Sequence, residues 1–185
     1  MDTSKRLPVA CGMTGIVATL LAACTPFAVP RYQPGLTPSS PPQQTHFSVG
    51  DVTRTKPKIG GADEIECPSV GFLVPADNSG LTSYVQKAIV AELRASGAFD
   101  ASSPARIEGS IDRAEIAPLL DSLSLTITLR APGSPAIHVA KSIAVRGGTL
   151  AGIQTCNNAA AAFPGLLQDV LSDAIPQLNQ KPHPK

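Results

Sequence analysis

The sequence predicts an α+β domain in which an antiparallel sheet of four to five strands carries two helices packed on one face. The predicted element order is roughly β-α-β-β-β-α. Two kinds of pattern support this. Residues 106–145 contain three segments in which apolar residues recur at every second position, interrupted only by Gly109 and Lys141, and residues 81–93 and 163–178 carry apolar stripes at helical spacing. Two helices with one stripe each can cover a single sheet face, so we expect the other face to be polar.

The clearest strand covers residues 122–130, where Leu and Ile alternate with Ser, Thr and Arg. The same alternation marks residues 106–112, and residues 137–145 form a third candidate strand. Upstream, the short apolar run 69–74 and the segment 47–52 complete the predicted sheet. Because turn residues separate neighbouring candidate strands, the pattern favours sequential antiparallel pairing.

The first helix is predicted to follow Asp77 and Ser79, either of which could cap it, and to end before Gly97, a typical C-terminal cap. The second helix is predicted from about residue 158. Pro164 lies within its apolar stripe, and proline in a helix interior costs about 3 kcal/mol. We therefore expect this helix either to start near Phe163 or to kink there.

The N-terminus has the layout of a secretory signal. Lys5 and Arg6 precede a charge-free segment whose apolar part, residues 9–23, is shorter than the roughly 20 residues of a membrane-spanning helix. It closes with four residues that resemble the lipobox of bacterial lipoproteins: Leu21, Ala22, Ala23 and Cys24. A spanning anchor, or an ordinary cleaved signal followed by a coincidental cysteine, is the alternative.

The lipobox resemblance implies that Cys24 becomes the first mature residue and carries a diacylglycerol thioether and an N-linked acyl chain such as palmitate. Several acyl chains give stable anchoring. Thr25 follows the cysteine where Asp would favour inner-membrane retention, so the resemblance favours the periplasm-facing leaflet of the outer membrane. The inner membrane and the cell surface stay open as alternatives.

Composition divides the chain into four parts. Residues 1–23 form the lipoprotein signal peptide, and residues 24–45, which contain six prolines and one charge, form a predicted Pro-rich tether. Residues 46–178 are expected to form a single periplasmic α+β domain, and residues 179–185 a disordered tail.

Two of the four cysteines remain after the signal peptide and the lipidation site are set aside. In an exported chain Cys67 and Cys156 should form a disulfide bond. A redox or metal pair is the alternative, although the sequence has no C-x-x-C and no histidine at ligand-like spacing to either cysteine. We expect no metal site and no cofactor.

Several function classes are disfavoured. With a formal charge of +1, the chain lacks the excess of basic residues that binds a nucleic-acid backbone. Aromatic residues make up only 4% of the chain, so few side chains could stack on bases or sugars. The catalytic motifs for hydrolases, zinc proteases, phosphate loops and dinucleotide folds are missing from the sequence. His138 is predicted to be a solvated strand residue, so we expect no enzyme; an active site would have to combine His138 with a carboxylate and a hydroxyl.

The folded part also carries a resemblance. The segment from Ile107 to Asp112 (I-E-G-S-I-D), the alternating strand after it, and the Thr155, Cys156, Asn157 helix start are similar to a recurring type of small proteobacterial envelope lipoprotein of uncharacterised function. The resemblance implies no catalytic residues. Together with the lipobox it predicts a lipid-anchored adapter or accessory in cell-envelope assembly or maintenance, with a membrane and an envelope protein as partners. The alternative is a periplasmic carrier that binds a lipid or another apolar small molecule.

Overall fold

A computed structural model describes residues 26–35, 45–55, 63–67, 70–117, 121–147 and 151–178. Over these ranges it confirms the α+β class, with two helices and two sheets. The elements in chain order are β1 (Phe27–Val29), β2 (Ser48–Arg54), β3 (Ile65–Cys67), β4 (Gly71–Pro75), α1 (Leu81–Ala95), β5 (Arg106–Ala117), β6 (Ser122–Arg130), β7 (Ile137–Ala144) and α2 (Ala151–Gln177).

The larger sheet has the strand order β2-β5-β6-β7. The pairs β5–β6 and β6–β7 are antiparallel, as the sequence predicts, whereas β2 runs parallel to β5. A parallel pair needs a long crossover connection, which α1 and two short strands provide here. The sheet is therefore mixed rather than purely antiparallel.

The remaining strands form a second, smaller sheet with the order β1-β4-β3. Strand β4, which the sequence analysis places in a single sheet, pairs antiparallel with its chain neighbour β3 and parallel with β1. The inner face of this small sheet is apolar, with Ile65 of β3 and Leu73 of β4 almost fully buried. Short sequence separation explains the β3–β4 pair, because closing a short connection costs little chain entropy.

The prediction of a tether over residues 24–45 is wrong for residues 26–35, which belong to the folded domain. Phe27 and Val29 are 7% and 2% exposed and lie in an edge strand. After β1, the Tyr32 hydroxyl donates to Glu92 of α1, and the backbone N–H of Gly35 donates to the same carboxylate at 2.9 Å. Prolines are compatible with this arrangement because an edge strand leaves one side unpaired.

The folded domain therefore includes residues 26–35, which lie before the predicted start at residue 46. The predicted signal peptide of residues 1–23, Cys24, the central part of the predicted tether and the predicted tail of residues 179–185 lie outside the described residues.

Helix α1 begins differently from the prediction. Its first turn is capped by Asp63, whose Oδ2 accepts hydrogen bonds from the backbone N–H of Thr82 at 2.8 Å and from its hydroxyl at 2.6 Å. Asp77 instead accepts from the backbone N–H of Ser79 at 3.1 Å. Gly97 follows the helix with φ +74°, as expected for a C-terminal glycine cap.

Helix α2 begins seven residues earlier than predicted and continues through Pro164 without interruption. Proline lacks the N–H that would bond to the carbonyl four residues earlier, which here belongs to Ala160. The packing around this turn compensates, because Phe163 and Leu167 are fully buried beside Pro164.

The core lies between the helices and the inner faces of both sheets. The inward residues of β6, including Leu125 and Leu129, are fully buried, and the rings of Tyr84 and Phe163 meet at 5.9 Å between the two helices. A disulfide joins Cys67 of β3 to Cys156 of α2, with the two Cα atoms 6.0 Å apart. The pairing expected from the sequence is thus present, and it ties the small sheet to α2.

We expect Phe27→Ala to lower the free energy of unfolding by about 3 kcal/mol, because it removes a buried ring and leaves a cavity. Chemical denaturation of the purified chain measures this. Gln33→Ala, at an exposed position of the same segment, is the control and should change stability little. Equal stability of the two variants would contradict the docking of residues 26–35.

Replacing both disulfide cysteines, Cys67→Ala with Cys156→Ala, should destabilise the domain by about 2–5 kcal/mol, because the unfolded chain gains freedom across an 89-residue separation. Thermal unfolding of the double variant measures the loss. Reduction of the unmodified chain should give the same shift, and a reductant should leave the double variant unaffected. A reductant effect on the double variant would contradict this origin.

Candidate functional site

The candidate site is the solvent-facing side of the larger sheet, which we call the open face. It carries Ser, Thr and charged side chains, in agreement with the expectation of one polar face. His138 lies here on β7 and is exposed. Side-chain hydrogen bonds join five residues of this face into one cluster: Thr55, Ser110, Asp112, Thr128 and His138.

Asp112 occupies an irregular position in β5. The β5–β6 register shifts between Ile111 and Arg113, so Asp112 has no Cα partner on β6. A bulge of this kind allows consecutive residues to point the same way, and it re-aims a side chain. Ile111 and Ala114 stay buried on either side while Asp112 reaches the open face.

Three hydroxyl groups converge on the Asp112 carboxylate. Thr55 donates to Oδ1 at 2.7 Å, Ser110 donates to Oδ1 at 3.0 Å, and Thr128 donates to Oδ2. Partial burial alone would raise the pKa of Asp112, but the hydrogen bonds from these hydroxyls outweigh it and hold the pKa below its usual value. The carboxylate is therefore ionised and acts only as an acceptor.

This ionised state determines the proton arrangement toward His138. The Thr128 hydroxyl has one proton, which it donates to Asp112, so it accepts from Nδ1–H of His138 at 2.7 Å. In a nucleophilic triad the imidazole lies between the hydroxyl and the carboxylate and takes the hydroxyl proton. Here the hydroxyl lies in the middle and is 2% exposed. The cluster combines a histidine, a hydroxyl and a carboxylate, but in an order that stabilises the sheet face rather than activating Thr128.

Beside this cluster the open face has a shallow depression of about 260 Å³. Two arginines and two carboxylates border it. Nη2 of Arg106 lies 3.9 Å from Oδ2 of Asp51. The mixed charges and fixed hydroxyls can hydrogen-bond a polar partner but do not concentrate one sign of charge. The lining residues are Asp51, Thr53, Arg106, Glu108, Gly109, Ser110, Thr128 and Arg130.

A second cavity, of about 210 Å³, lies between α1 and the segment after β1. The Tyr84 hydroxyl donates to the carbonyl of Pro30 at 2.7 Å, and burial raises the pKa of Tyr84 to about 12. Burial and the bond to Glu92 also raise the pKa of Tyr32. These tyrosines are neutral hydrogen-bond donors that fix residues 26–35 to α1.

Of the sequence-predicted site residues, Cys67 and Cys156 lie together as the disulfide. Leu21, Ala22, Ala23 and Cys24 lie outside the described residues. Within the described ranges no group of three or more His, Cys, Asp or Glu side chains could hold a metal ion. The same part of the chain has no helix with the length and apolarity needed to cross a bilayer.

Sequence reasoning missed the Asp112 cluster and the Tyr32–Glu92 contact. The outward hydroxyls of β5 and β6 are visible in the alternation, but the bulge at Asp112 and the parallel partner β2 are not. Without the register, the approach of Thr55 and Thr128 to one carboxylate could not be inferred.

We expect Asp112→Asn to cost about 1–3 kcal/mol at neutral pH, since the amide accepts fewer hydrogen bonds and carries no charge. Because the folded-state pKa lies below the unfolded value of about 3.9, this stabilisation is present above that value and is lost as pH falls through the folded pKa. Urea denaturation from pH 3 to pH 7 measures the difference. Asp51→Asn, whose side chain is 90% exposed, should show little effect, and a pH-independent Asp112 effect would contradict the assignment.

Comparison of the sequence with protein-family models and with curated proteins finds no match. Among solved structures, the fold is similar to the crystal structure of protein XCC0632 from Xanthomonas campestris, which carries the family designation DUF330. The TM-score is 0.54 at 15% sequence identity, and the alignment covers 80% of this chain and 91% of that chain. At this identity the similarity shows a shared fold.

Proposed function

We propose that this chain is a lipid-anchored periplasmic lipoprotein that works by contact, as a non-catalytic adapter or accessory in cell-envelope assembly or maintenance. The observation that carries the proposal is the sequence Leu21, Ala22, Ala23, Cys24 at the end of an apolar segment, two residues before the first described residue, Pro26. Acylation at Cys24 would attach the domain to the periplasmic leaflet of the outer membrane.

The disulfide supports an exported location. Disulfides persist in oxidising compartments such as the periplasm and are rare in the cytosol. Cys67 and Cys156 are each 1% exposed, so the bond lies within the core.

The open face supports a contact role. It presents hydroxyl and charged side chains, and because the single hydroxyl proton of Thr128 is donated to Asp112, Thr128 gives no proton to His138. A surface with mixed charge and fixed hydroxyls suits polar recognition of a partner protein.

The carrier alternative requires space for an apolar molecule between the helices and the larger sheet. Side chains from both layers fill this region, with Leu125 and Phe163 each fully buried. A ligand would have to displace them, so the packing favours the adapter. Native mass spectrometry of the purified protein separates the two: the adapter has the mass of the acylated chain, whereas a carrier retains additional ligand mass.

We expect Cys24→Ser to abolish acylation and to move the protein from the membrane to the soluble fraction of lysed cells, because the thiol that receives the lipid is gone. Intact mass and membrane fractionation measure both effects. Cys11→Ser, which changes a cysteine within the signal segment, is the matched control and should be acylated normally. A membrane distribution unchanged by Cys24→Ser would contradict the anchor.

A further inference from the structure

Two large apolar side chains are exposed among the described residues: Phe72 on β4 at 38% and Ile153 on α2 at 57%. Single exposed apolar residues are common on protein surfaces. Their location relative to the rest of the fold is what makes these two informative.

Both residues lie at the end of the molecule where β1 begins. Phe72 directly precedes Leu73, whose Cα partner in the parallel pair is Phe27. The start of α2 reaches the same place, since a Cβ added to Gly152 would lie 2.9 Å from the Val70 side chain. The first turn of α2, the start of β4 and the start of β1 therefore share one end.

The outer face of the small sheet, which carries Phe72, has two further apolar side chains. Val74 follows Phe72 on the same side of β4, and its Cα partner on β1 is the exposed Ala28. Glu66 of β3 is the cross-strand partner of Phe72 and supplies a charged border. We call Ala28, Phe72, Val74 and Ile153 the apolar end.

Covalent reach limits the distance between this end and the proposed lipid. Cys24 precedes Phe27 by three residues, and a fully extended chain advances at most about 3.6 Å per residue. The modified sulfur is thus attached within about 11 Å of backbone from the start of β1. With the acyl chains in the bilayer, a connecting segment this short keeps the start of β1 close to the lipid headgroups.

We propose that the apolar end rests against a phospholipid bilayer, with Phe72 and Ile153 inserted at the level between headgroups and acyl chains. This inference rests on the proposed acylation of Cys24. Aromatic and aliphatic side chains beside a lipid anchor add buried apolar area to the attachment. Glu66, at the border, stays in the hydrated headgroup layer, and the open face of the larger sheet remains accessible to a partner.

The chain has no tryptophan, so single tryptophans can report on each surface. Phe72→Trp and Ile153→Trp place reporters in the apolar end, and Ala140→Trp places a control at an exposed position of the open face. Each full-length acylated variant is reconstituted into phosphatidylethanolamine–phosphatidylglycerol vesicles with or without brominated acyl chains. We expect a blue shift and bromine quenching for the reporters at positions 72 and 153, and neither for the control.

The intact mass of each preparation distinguishes failure of the membrane contact from failure of the proposed acylation. Acylated protein in which both reporters resemble the control would overturn the membrane contact and leave the proposed function standing. An unmodified Cys24 would overturn the proposed function and this inference together. A blue shift that depends on protein concentration without bromine quenching would assign the apolar end to a second copy of the chain and overturn the membrane contact. If either variant fails to fold by circular dichroism, the other reporter decides.

Discussion

Helix α2 is the element on which both sheets depend. It packs against β6 and β7 of the larger sheet, against β1 of the smaller sheet and against α1. This explains its composition, since its inward face buries small residues such as Ala159 and Ala160 together with Phe163 and Leu167. A helix that packs against strands of both sheets tolerates Pro164 because neighbouring elements hold the turn in place. The disulfide at Cys156 attaches the third strand of the small sheet to this same helix.

The sequence predicts the parts of the fold that depend on local periodicity. The alternation of Leu123, Leu125 and Ile127 identifies β6 and its buried face, and the spacing of Leu81, Val85 and Ile89 identifies α1. The second sheet is not predictable in this way. Strands of three residues such as β1 and β3 are too short to show a period, and their pairing depends on contacts distant in sequence.

Residues 26–35 show how composition can mislead. Prolines at regular spacing favour an extended chain, and residues 27–29 are indeed extended, but as an edge strand paired with β4. The decisive features are two apolar residues at alternate positions, Phe27 and Val29, and a tyrosine that reaches Glu92. The candidate site presents the same difficulty, because the bulge at Asp112 that brings three hydroxyls to one carboxylate has no signature in the residues around it.

The docking of residues 26–35 changes what a lipid at Cys24 would do. A free tether of 22 residues would have a root-mean-square length of roughly 25 Å. The domain could then rotate freely about its attachment point, and every surface would be equally available to a partner. A strand fixed in the fold three residues after a lipid at Cys24 would remove that freedom, so attachment would also set orientation. Binding of a partner would then not have to restrict a mobile tether, and the entropic cost of association would be lower. In this arrangement the apolar end would bind lipid while the hydroxyl-rich open face would be the surface available to an envelope partner.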